Sequence, residues 1–473
     1  MTIERATIAG VGLAGLAAAV SLRAAGVAVA LSDSAAHFGG RCRSYDDPML
    51  GLTIDNGNHL VLAGNVAVER FLGTIGAVSP LSGPDHAEFA FVDLADGRRW
   101  TLAVNDGRVP WWILSRRRRV PGTKARDYLA LIRLLNRRER RIDEVIEPHG
   151  VLWRNLFDPV FRAVLNTAPE EASLALAGNV VRETLARGGR ATRPLIATVS
   201  LSASFIEPAL AWLADRGTAA TSGRRLRSIK YVGDRVAALE WSDGWQEIGG
   251  NEAVILAVPP WVALSLVPGL SAPTEHHSIV NAHFAFTRPL AVPKMLGLVG
   301  GTAEWLFVYP DRISVTVSAA DALLDRDRAE LAAIFWNDIQ RAYGITDPMP
   351  KWQIVKERRA TFAATPAQNA LRPAARSSRS TAQDSAVAVV SCPASRNVIA
   401  SSRTCRSPVC PCGQDAISSD SSSPPEGRCR PAAGARAPRR RSMLSMQRRA
   451  SPPTRSRLRP GYAPRSCRGS ATT

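Results

Sequence analysis

The sequence predicts an α/β protein with a Rossmann-type dinucleotide-binding domain, further α+β segments that form a second domain, and a disordered C-terminal tail. Three observations lead to this prediction. A short apolar strand, a glycine-rich turn and a helical pattern open the chain over residues 6–33. A buried strand that ends in a Pro-Pro turn occupies residues 253–260. From residue 371 onward the composition changes, and a single aromatic side chain, Tyr462, remains.

The positive charge of the chain is concentrated at its C-terminal end. The 473 residues carry a net charge of +19, which is typical of nucleic-acid-binding proteins. Residues 371–473 hold 19 Arg, no Lys and 4 acidic residues, which is +15, and this leaves +4 for the first 370 residues. We therefore predict no specific nucleic-acid binding by the folded part, which is long enough for two domains.

The distribution of cysteines also changes at residue 371, where the tail begins. Six of the seven cysteines lie in the tail, and Cys42 is the one in the body. The spacing of Cys405, Cys410 and Cys412 is irregular and no histidine lies nearby, so we predict no metal site. A single body cysteine favours a reducing, cytoplasmic compartment.

The apolar stretch from Val11 to Leu31 is long enough for a membrane span, but Arg23 and several glycines interrupt it, so we expect a soluble or monotopic protein.

The opening turn carries the pattern of a dinucleotide-binding site. Gly10 permits a tight turn, Gly12 lets the backbone approach a pyrophosphate, and Gly15 lets the helix pack closely on the strand. The N-terminus of that helix offers amide donors to phosphates. Asp33 closes the second strand with a carboxylate for ribose hydroxyls. This motif alone does not separate FAD from NAD.

A second glycine-rich segment, Gly39-Gly40-Arg41, favours FAD. Two glycines let the chain run against a cofactor, and an Arg side chain offsets pyrophosphate charge. The alternative is a surface turn with a solvated Arg. A similar Gly-Gly-Arg forms the second signature of the amine-oxidase and carotenoid-desaturase flavoproteins, which this part of the chain resembles.

The segment Asp55-Asn56-Gly57-Asn58-His59 places polar residues between apolar neighbours, which predicts a buried bend. A similar segment lies close to the flavin in desaturase-like proteins. The resemblance makes Gly57 a cofactor-binding residue and His59 and Asp55 candidates for catalysis. The alternative for His59 is a hydrogen-bonded core histidine.

Apolar aromatic residues stand beside clustered arginines at residues 111–119, where Trp111 and Trp112 precede Arg116 to Arg119. This combination fits a patch that lies on a membrane surface. The alternative is a buried Trp pair next to a solvated basic face.

Over residues 5–373 the chain resembles bacterial hydroxysqualene dehydroxylases, which are FAD-dependent proteins of the amine-oxidase type. The resemblance rests on several short matching stretches that occur in the same order as in that family. They are residues 55–59, Arg119-Val120-Pro121-Gly122-Thr123, Leu165-Asn166-Thr167, Ile206-Glu207-Pro208, and residues 254–261, 279–283, 304–307 and 357–362.

The resemblance implies a discontinuous FAD-binding domain. Its two parts are residues 1–65 and 221–265. The inserted α+β substrate domain then comprises residues 66–220 and 266–370, and residues 371–473 form the disordered tail.

The resemblance also implies the reaction, in which the hydroxyl of hydroxysqualene is removed and squalene remains, with reduced FAD as the reductant. The partner is a long-chain isoprenoid, and peripheral contact with the inner face of the membrane fits such a substrate. A proton donor is needed for the leaving hydroxyl. His59 and Asp55 are the candidates, and Glu207 and Glu304 are weaker ones. The sequence identifies no electron donor.

The chain departs from the family after Pro373. There the family continues with a strand ending Leu-Ala-Gly-Asp-Trp, then Thr-Gly-Leu-Pro and a helix, which close the FAD site. None of these motifs is present. We interpret the change as a frameshift, and the rival interpretation is a natural disordered tail. Either way, we predict an incomplete sheet, poor folding and weak FAD binding.

Two other functions remain open at this point. A carotenoid or phytoene desaturase would share the nucleotide motifs and a long apolar substrate but would oxidise it. An inactive, truncated flavoprotein whose basic tail binds nucleic acid nonspecifically is a different class.

Overall fold

The computed structural model describes residues 2–78, 80–136, 138–233, 235–373 and 387–389. The described strands, in chain order, are β1 (Arg5–Ala9), β2 (Ala28–Ser32), β3 (Ser44–Asp47), β4 (Leu52–Asp55), β5 (Leu60–Leu62), β6 (Leu81–Ser82), β7 (Ala87–Asp93), β8 (Arg99–Val104), β9 (Pro194–Ala197), β10 (Ala220–Thr221), β11 (Leu226–Val232), β12 (Arg235–Trp241), β13 (Gly244–Glu247), β14 (Glu252–Leu256), β15 (His276–Ala285), β16 (Met295–Val299), β17 (Trp305–Val308), β18 (Arg312–Val317), β19 (Trp352–Phe362) and β20 (Val387–Val389).

Helices connect these strands, and several begin or end in short 3-10 or π-helical turns. The described α-helices are α1 (Leu13–Ala24), α2 (Val66–Thr74), α3 (Ala130–Arg133), α4 (Asp158–Leu165), α5 (Leu174–Glu183), α6 (Gly189–Thr192), α7 (Glu207–Ala214), α8 (Pro260–Leu266), α9 (Arg328–Tyr343) and α10 (Pro366–Ala370). Within the described residues, no helix has the length and apolar character needed to cross a bilayer.

A parallel sheet with the strand order β10-β2-β1-β14-β20 forms the nucleotide-binding domain. Strand β1 is buried at its centre and is followed by the glycine turn and α1, whose buried residues include Leu16 and Ala19. Gly26 adopts a left-handed conformation (φ 86°) just after α1 and returns the chain to β2. This strand–turn–helix–strand unit and the three strands that join it from later in the chain, β10, β14 and β20, confirm the predicted α/β, Rossmann-type fold class.

The hydrophobic core of this domain uses more of the chain than residues 1–65 and 221–265. Val68 and Leu72 of α2 pack in the same core as Ile8 and Leu16. Helix α7 also contributes to this core and contacts α1. The nucleotide-binding domain therefore includes α2 and α7, which the sequence had placed in the substrate domain.

A seven-stranded sheet with the order β19-β15-β18-β17-β16-β7-β8 forms the second domain. Its strands are antiparallel neighbours except β16 and β7, which are parallel. Side chains alternate between the two faces of each strand. On one face, Val280, Ala282 and Phe284 of β15 pack against α9, a helix capped by the Asp327 side chain. The opposite face looks towards α4 and α5.

Two β-hairpins among the described residues have turns that contain glycine. Strands β7 and β8 pair antiparallel on either side of Asp96-Gly97, and β11 and β12 pair antiparallel on either side of Gly233. Their turns contain Gly97 and Gly233 with positive φ angles, as the tight connections require.

One short strand lies within the predicted tail and joins the sheet that the sequence predicted to be incomplete. Strand β20 pairs in parallel with β14, with Val254 opposite Val387 and Leu256 opposite Val389. Three residues thus cover the edge of β14 in the nucleotide-binding sheet. Apart from residues 371–373 and β20, the predicted disordered tail lies outside the described residues, as do Cys405, Cys410 and Cys412.

Candidate active site

One cavity of about 560 Å³ extends from the glycine turn after β1 to the face of the seven-stranded sheet that looks towards α4 and α5. Its wall is polar and glycine-rich at the end formed by the nucleotide-binding domain, and apolar at the other end. Elements from both domains therefore build one continuous site.

The two glycine motifs meet at the end of the cavity that the nucleotide-binding domain forms. Gly12 and Gly39 form an isolated parallel β-bridge, and the Gly39 amide donates a hydrogen bond of 2.9 Å to the Val11 carbonyl. Gly39 and Gly40 have φ angles of 102° and 56°, a left-handed conformation that glycine adopts readily. Gly10, Gly12, Gly39 and Gly40 all line the cavity.

The glycines fit a bound dinucleotide in different ways. A Cβ atom on Gly12 would meet no protein atom closer than 3.8 Å and would project where a cofactor backbone can approach. A Cβ atom on Gly10 would lie 2.2 Å from the Ala257 carbonyl oxygen, and one on Gly15 would lie 1.9 Å from the Gly10 oxygen. Gly15 thus allows α1 to pack on the turn, away from the cavity wall.

Asp33 lies at the carboxyl end of β2 and lines the cavity. Its carboxylate accepts hydrogen bonds from the amides of Val11 (2.7 Å) and Ala35 (2.8 Å), so it is held against the turn. Arg41 also lines the cavity and donates a hydrogen bond to the Ala360 carbonyl of β19. The cradle, the carboxylate and the guanidinium are what the phosphates and ribose of FAD require.

The middle of the cavity is a polar band where the segment after β4 meets the seven-stranded sheet. Asn281 of β15 donates a hydrogen bond to the Asn56 carbonyl (3.4 Å) and accepts one from Thr316 of β18 (2.8 Å). Asn58 donates to the Thr316 hydroxyl at 3.0 Å. A Cβ atom on Gly57 would lie 3.2 Å from Asn281 Nδ2, so glycine lets these two segments approach. All five residues line the cavity.

His59 is half-buried and faces this polar band. Burial lowers the pKa of His59 to about 4, and the nearby Arg41 charge acts in the same direction, whereas a hydrogen bond to the Arg41 backbone opposes them. The ring is therefore neutral near pH 7. Neutral imidazole is a hydrogen-bonding group and a poor source of protons.

Asp55 lies behind the wall that the described residues form. Its carboxylate accepts hydrogen bonds from the Ser44 hydroxyl (2.6 Å) and the Leu201 amide (2.9 Å), and Arg312 lies 3.7 Å away. Burial raises the pKa of Asp55, and these three groups oppose the rise. Among the described residues that line the cavity none belongs to β4, so the structure keeps Asp55, a predicted candidate for catalysis, out of contact with the cavity.

Of the weaker candidates, Glu207 is exposed at the start of α7. Glu304 is half-buried beside the chamber, where it accepts a hydrogen bond from the Ser318 amide at 2.7 Å, and desolvation raises its pKa to about 7. Neither lies among the residues that line the cavity.

Glu357 is a cavity residue that the sequence reasoning did not single out. Strand β19 presents Glu357, Arg359 and Thr361 to the cavity, because alternate residues of a strand share a face. The Asn56 side chain donates a hydrogen bond of 3.3 Å to the Glu357 carboxylate. The two residues are distant in the sequence, and only the alternation along residues 352–362 could have indicated which side chains share this face.

The far end of the cavity is an apolar chamber. The seven-stranded sheet contributes Trp305 and Phe307 of β17, and Phe89 and Phe91 of β7. Helices α4 and α5 close the opposite side, with Phe161, Val164 and Val181. Phe91 packs edge-on against Trp305, with ring centroids 5.5 Å apart. Such a chamber can hold a long hydrocarbon and exclude water from the polar band.

The chain matches known proteins over most of its length. Residues 13–405 match the model of the "Flavin containing amine oxidoreductase" family. A hydroxysqualene dehydroxylase of Rhodopseudomonas palustris is 49% identical over 368 residues, covering 77% of this chain and 88% of that protein. A hydroxysqualene dehydroxylase of Zymomonas mobilis is 45% identical over 369 residues, covering 78% of this chain and 89% of that protein.

Solved structures share the fold at low sequence identity. Cyclohexylamine oxidase from Brevibacterium oxydans superposes with a TM-score of 0.57 at 17% identity, covering 82% of this chain and 93% of that one. An oxidoreductase from Methanosarcina mazei gives a TM-score of 0.58 at 13% identity, covering 82% and 94%. Together with the glycine cradle, these matches identify FAD as the cofactor. The chain belongs to the flavin-containing amine oxidoreductase family and is an FAD-dependent oxidoreductase that groups with the hydroxysqualene dehydroxylases.

Proposed function

We propose that the protein removes the hydroxyl group of hydroxysqualene reductively and releases squalene. The observation that carries the proposal is the cavity itself, which joins a glycine cradle for FAD to an apolar chamber through a polar band. The names and the 45% and 49% identities of the two relatives support the same reaction.

The proposed cofactor-binding residues form a cradle around the phosphates and the ribose. Gly12, Gly39 and Gly40 give backbone access, and the N-terminus of α1 favours the pyrophosphate. Asp33 is placed for a ribose, and Arg41 is placed for negative charge. Gly10, Gly15 and Gly57 act by allowing the surrounding segments to approach one another.

The reaction needs a hydride and a dry site for a developing cation. Reduced FAD supplies the hydride when it is bound. The chain's own residues hold the C30 substrate with its apolar part in the aromatic chamber and its hydroxyl at the polar band. Loss of an allylic hydroxyl leaves a delocalised cation, and exclusion of water prevents that cation from being trapped by hydration. His59, as a neutral ring on the wall, is placed to hydrogen-bond the hydroxyl.

Product analysis tests the proposal against its main alternative, a phytoene desaturase. The FAD-supplemented full chain is incubated with a chemical reductant and hydroxysqualene, and separately with phytoene under oxidising conditions. We expect squalene from the first incubation and unchanged phytoene from the second. Desaturated phytoene without any squalene would assign the chain to the desaturases.

We also propose that the protein contacts the inner face of the membrane through an entry surface, defined as the exposed side chains of residues 108–133. Val109, Leu114 and Ile132 are 74%, 70% and 62% exposed, and Trp111 is 49% exposed. Exposed basic side chains lie among them, namely Arg108, Arg116, Arg117, Lys124, Arg126 and Arg133.

The entry surface also forms part of the chamber wall. Trp112 and Leu131, neighbours of Trp111 and Ile132, line the cavity, and Trp112 packs edge-on against Tyr128 at 5.1 Å. Apolar side chains beside cationic ones suit a bilayer with anionic lipids. A substrate dissolved in that bilayer could then reach the chamber without crossing water.

A further inference from the structure

The proposed reaction requires a proton for the leaving hydroxyl, and the structure narrows the possible donors. Asp33 and Glu357 are the two carboxyl side chains among the described residues that line the cavity. Asp33 is held at the nucleotide end by two backbone amides, of Val11 and Ala35. Glu357 lies in the polar band, where the hydroxyl would be.

The position of Glu357 is set by three neighbouring strands. It stands opposite Ile279 of β15, two residues before Asn281 on the cavity-facing side. Asn281 in turn stands opposite Thr316 of β18. Along this face the sheet changes from polar at β19, β15 and β18 to aromatic at β17 and β7. Glu357 is therefore at the polar end of a surface whose other end fits hydrocarbon.

The contacts of Glu357 leave its carboxyl group available. Among the described residues, one hydrogen bond reaches it, from Asn56 at 3.3 Å to Oε2, and none forms an ion pair with it. A carboxyl group with a structural role is usually held by several donors, as Asp55 is by Ser44 and Leu201. One long hydrogen bond orients the group without saturating its oxygens.

His59 also lies in the polar band, where it offers a hydrogen bond instead of a carboxyl group. His59 is neutral near pH 7 because burial lowers its pKa to about 4. It can accept or donate a hydrogen bond but holds no extra proton. Arg359, on the same face of β19, stacks on Trp261 and does not release protons at ordinary pH.

We propose that Glu357 is the catalytic acid that protonates the departing hydroxyl, with Asn56 as the residue that positions it. This inference rests on the proposed function. The proton passes from the carboxyl group to the substrate oxygen, the carbon–oxygen bond breaks with both electrons on oxygen, and water leaves. Reduced FAD, held by the cradle of Gly12, Gly39 and Gly40, would supply the hydride for the new carbon–hydrogen bond, and its two-electron oxidation would balance the two-electron reduction of the substrate. Glu357 regains its proton from solvent.

The test compares two leaving groups in the full chain saturated with FAD. Hydroxysqualene needs a proton to release water, whereas its formate ester releases formate as an anion without one. Glu357→Gln keeps the shape and the acceptor oxygen for Asn56 but supplies no acidic proton. The matched control is Glu88→Gln, an exposed residue of β7 in the same sheet that does not line the cavity.

We expect Glu357→Gln to slow squalene formation from the alcohol by about 10²- to 10⁴-fold, the usual contribution of a general acid. Its flavin content and its rate with the formate ester should stay comparable to those of the wild type. Glu88→Gln should match the wild type with both substrates. Equal slowing of both substrates, or no slowing with the alcohol, would overturn the assignment. Absence of squalene from the wild-type protein with either substrate would instead overturn the proposed function and remove the basis of the inference.

Discussion

Gly12 and Gly39 lie side by side as an isolated parallel β-bridge, so the turn after β1 and the segment after β2 form one surface. The Gly39 amide donates to the carbonyl of Val11, the residue before Gly12. The motif that marks a dinucleotide and the motif that marks FAD are thus parts of the same cradle. A single methyl group added at Gly12 therefore tests whether this cradle binds FAD.

We predict that Gly12→Ala keeps the fold and loses FAD. The added Cβ would be 3.8 Å from the nearest protein atom, the Gly39 oxygen, so the protein itself does not resist it. The methyl group would occupy the space that a pyrophosphate needs, and we expect FAD to bind at least about tenfold more weakly, which is about 1.4 kcal/mol. Titration with FAD, followed by flavin fluorescence, measures the change.

Gly73→Ala serves as the control for this substitution. Gly73 is in α2, and a Cβ atom there would meet nothing within 4 Å. Alanine stabilises a helix relative to glycine by about 1 kcal/mol, so this variant should be slightly more stable and should bind FAD normally. An unchanged FAD affinity in Gly12→Ala would show that the cradle is not the binding surface.

The sequence predicted the parts of the site that are local in the chain. Gly10, Gly12, Asp33 and Gly39 stand in short motifs whose backbone geometry is nearly self-contained, and the structure brings them to one cavity. The sequence could not predict the opposite wall, because the Asn281 side chain contacts the segment of Asn56 and Gly57 across two distant parts of the chain.

Three other differences between the prediction and the structure have separate causes. Asp55 does not line the cavity, and its carboxylate accepts a hydrogen bond from the Leu201 amide, a residue distant in the sequence. Helix α2 belongs to the nucleotide-binding core because Val68 and Leu72 match its apolar surface. Strand β20 has no family motif, and its pairing with β14 depends on the backbone, which any residues of strand type can supply.

We predict that folding stability falls as the pH is lowered below about 6.5, in part because of His283. Burial lowers the pKa of His283 from 6.5 to about 3, and the Arg312 charge adds to this effect. The folded-state pKa is below the unfolded-state value, so the unfolded chain takes up the proton first. The contribution of His283 to the free energy of unfolding is therefore fully present above pH 6.5 and is lost progressively as the pH falls towards 3.

The variant His283→Asn isolates this contribution. At pH 5 the wild-type free energy of unfolding should be about 2 kcal/mol lower than at pH 7 through His283 alone. The variant is expected to be less stable at pH 7, since the contact with Ser314 at 2.8 Å changes, but its stability should depend less on pH. Denaturant titrations at both pH values measure the free energy of unfolding of each protein. An equal loss of stability between pH 7 and pH 5 in the wild type and the variant would contradict the prediction.

We predict that the purified chain holds much less than one FAD per molecule. The sequence lacks Leu-Ala-Gly-Asp-Trp and Thr-Gly-Leu-Pro, with which the resembling family closes its FAD site, and among the described residues three, those of β20, pair at that sheet edge. The absorbance of flavin relative to protein after desalting gives the stoichiometry. A full complement of FAD would show that the described cradle suffices.

The frameshift hypothesis can be checked independently by resequencing the gene across codons 360–400 and translating all three frames. If another frame encodes both missing motifs, the protein expressed from the repaired frame should retain FAD through desalting. If no frame encodes them, the tail is natural and the frameshift hypothesis fails.

We predict that the entry surface binds vesicles containing anionic lipids. Replacing Trp111 and Leu114 together with Ser removes two exposed apolar side chains and should reduce the bound fraction in a flotation assay severalfold. High salt should also weaken binding, because it screens the attraction between arginines and lipid headgroups. Trp245→Ser is the control, since Trp245 is 57% exposed on β13, outside the entry surface. Equal loss in both variants would argue against a defined surface.

The most direct test of the proposed reaction is a single turnover in heavy water. The FAD-saturated protein is reduced, freed of excess reductant and mixed with hydroxysqualene in the absence of oxygen. The account predicts that flavin is oxidised as squalene appears, one for one, and that the squalene carries one deuterium at the carbon that held the hydroxyl, because the transferred hydrogen of reduced flavin exchanges with solvent. Flavin that remains reduced in the presence of hydroxysqualene, or squalene without deuterium at that carbon, would contradict it.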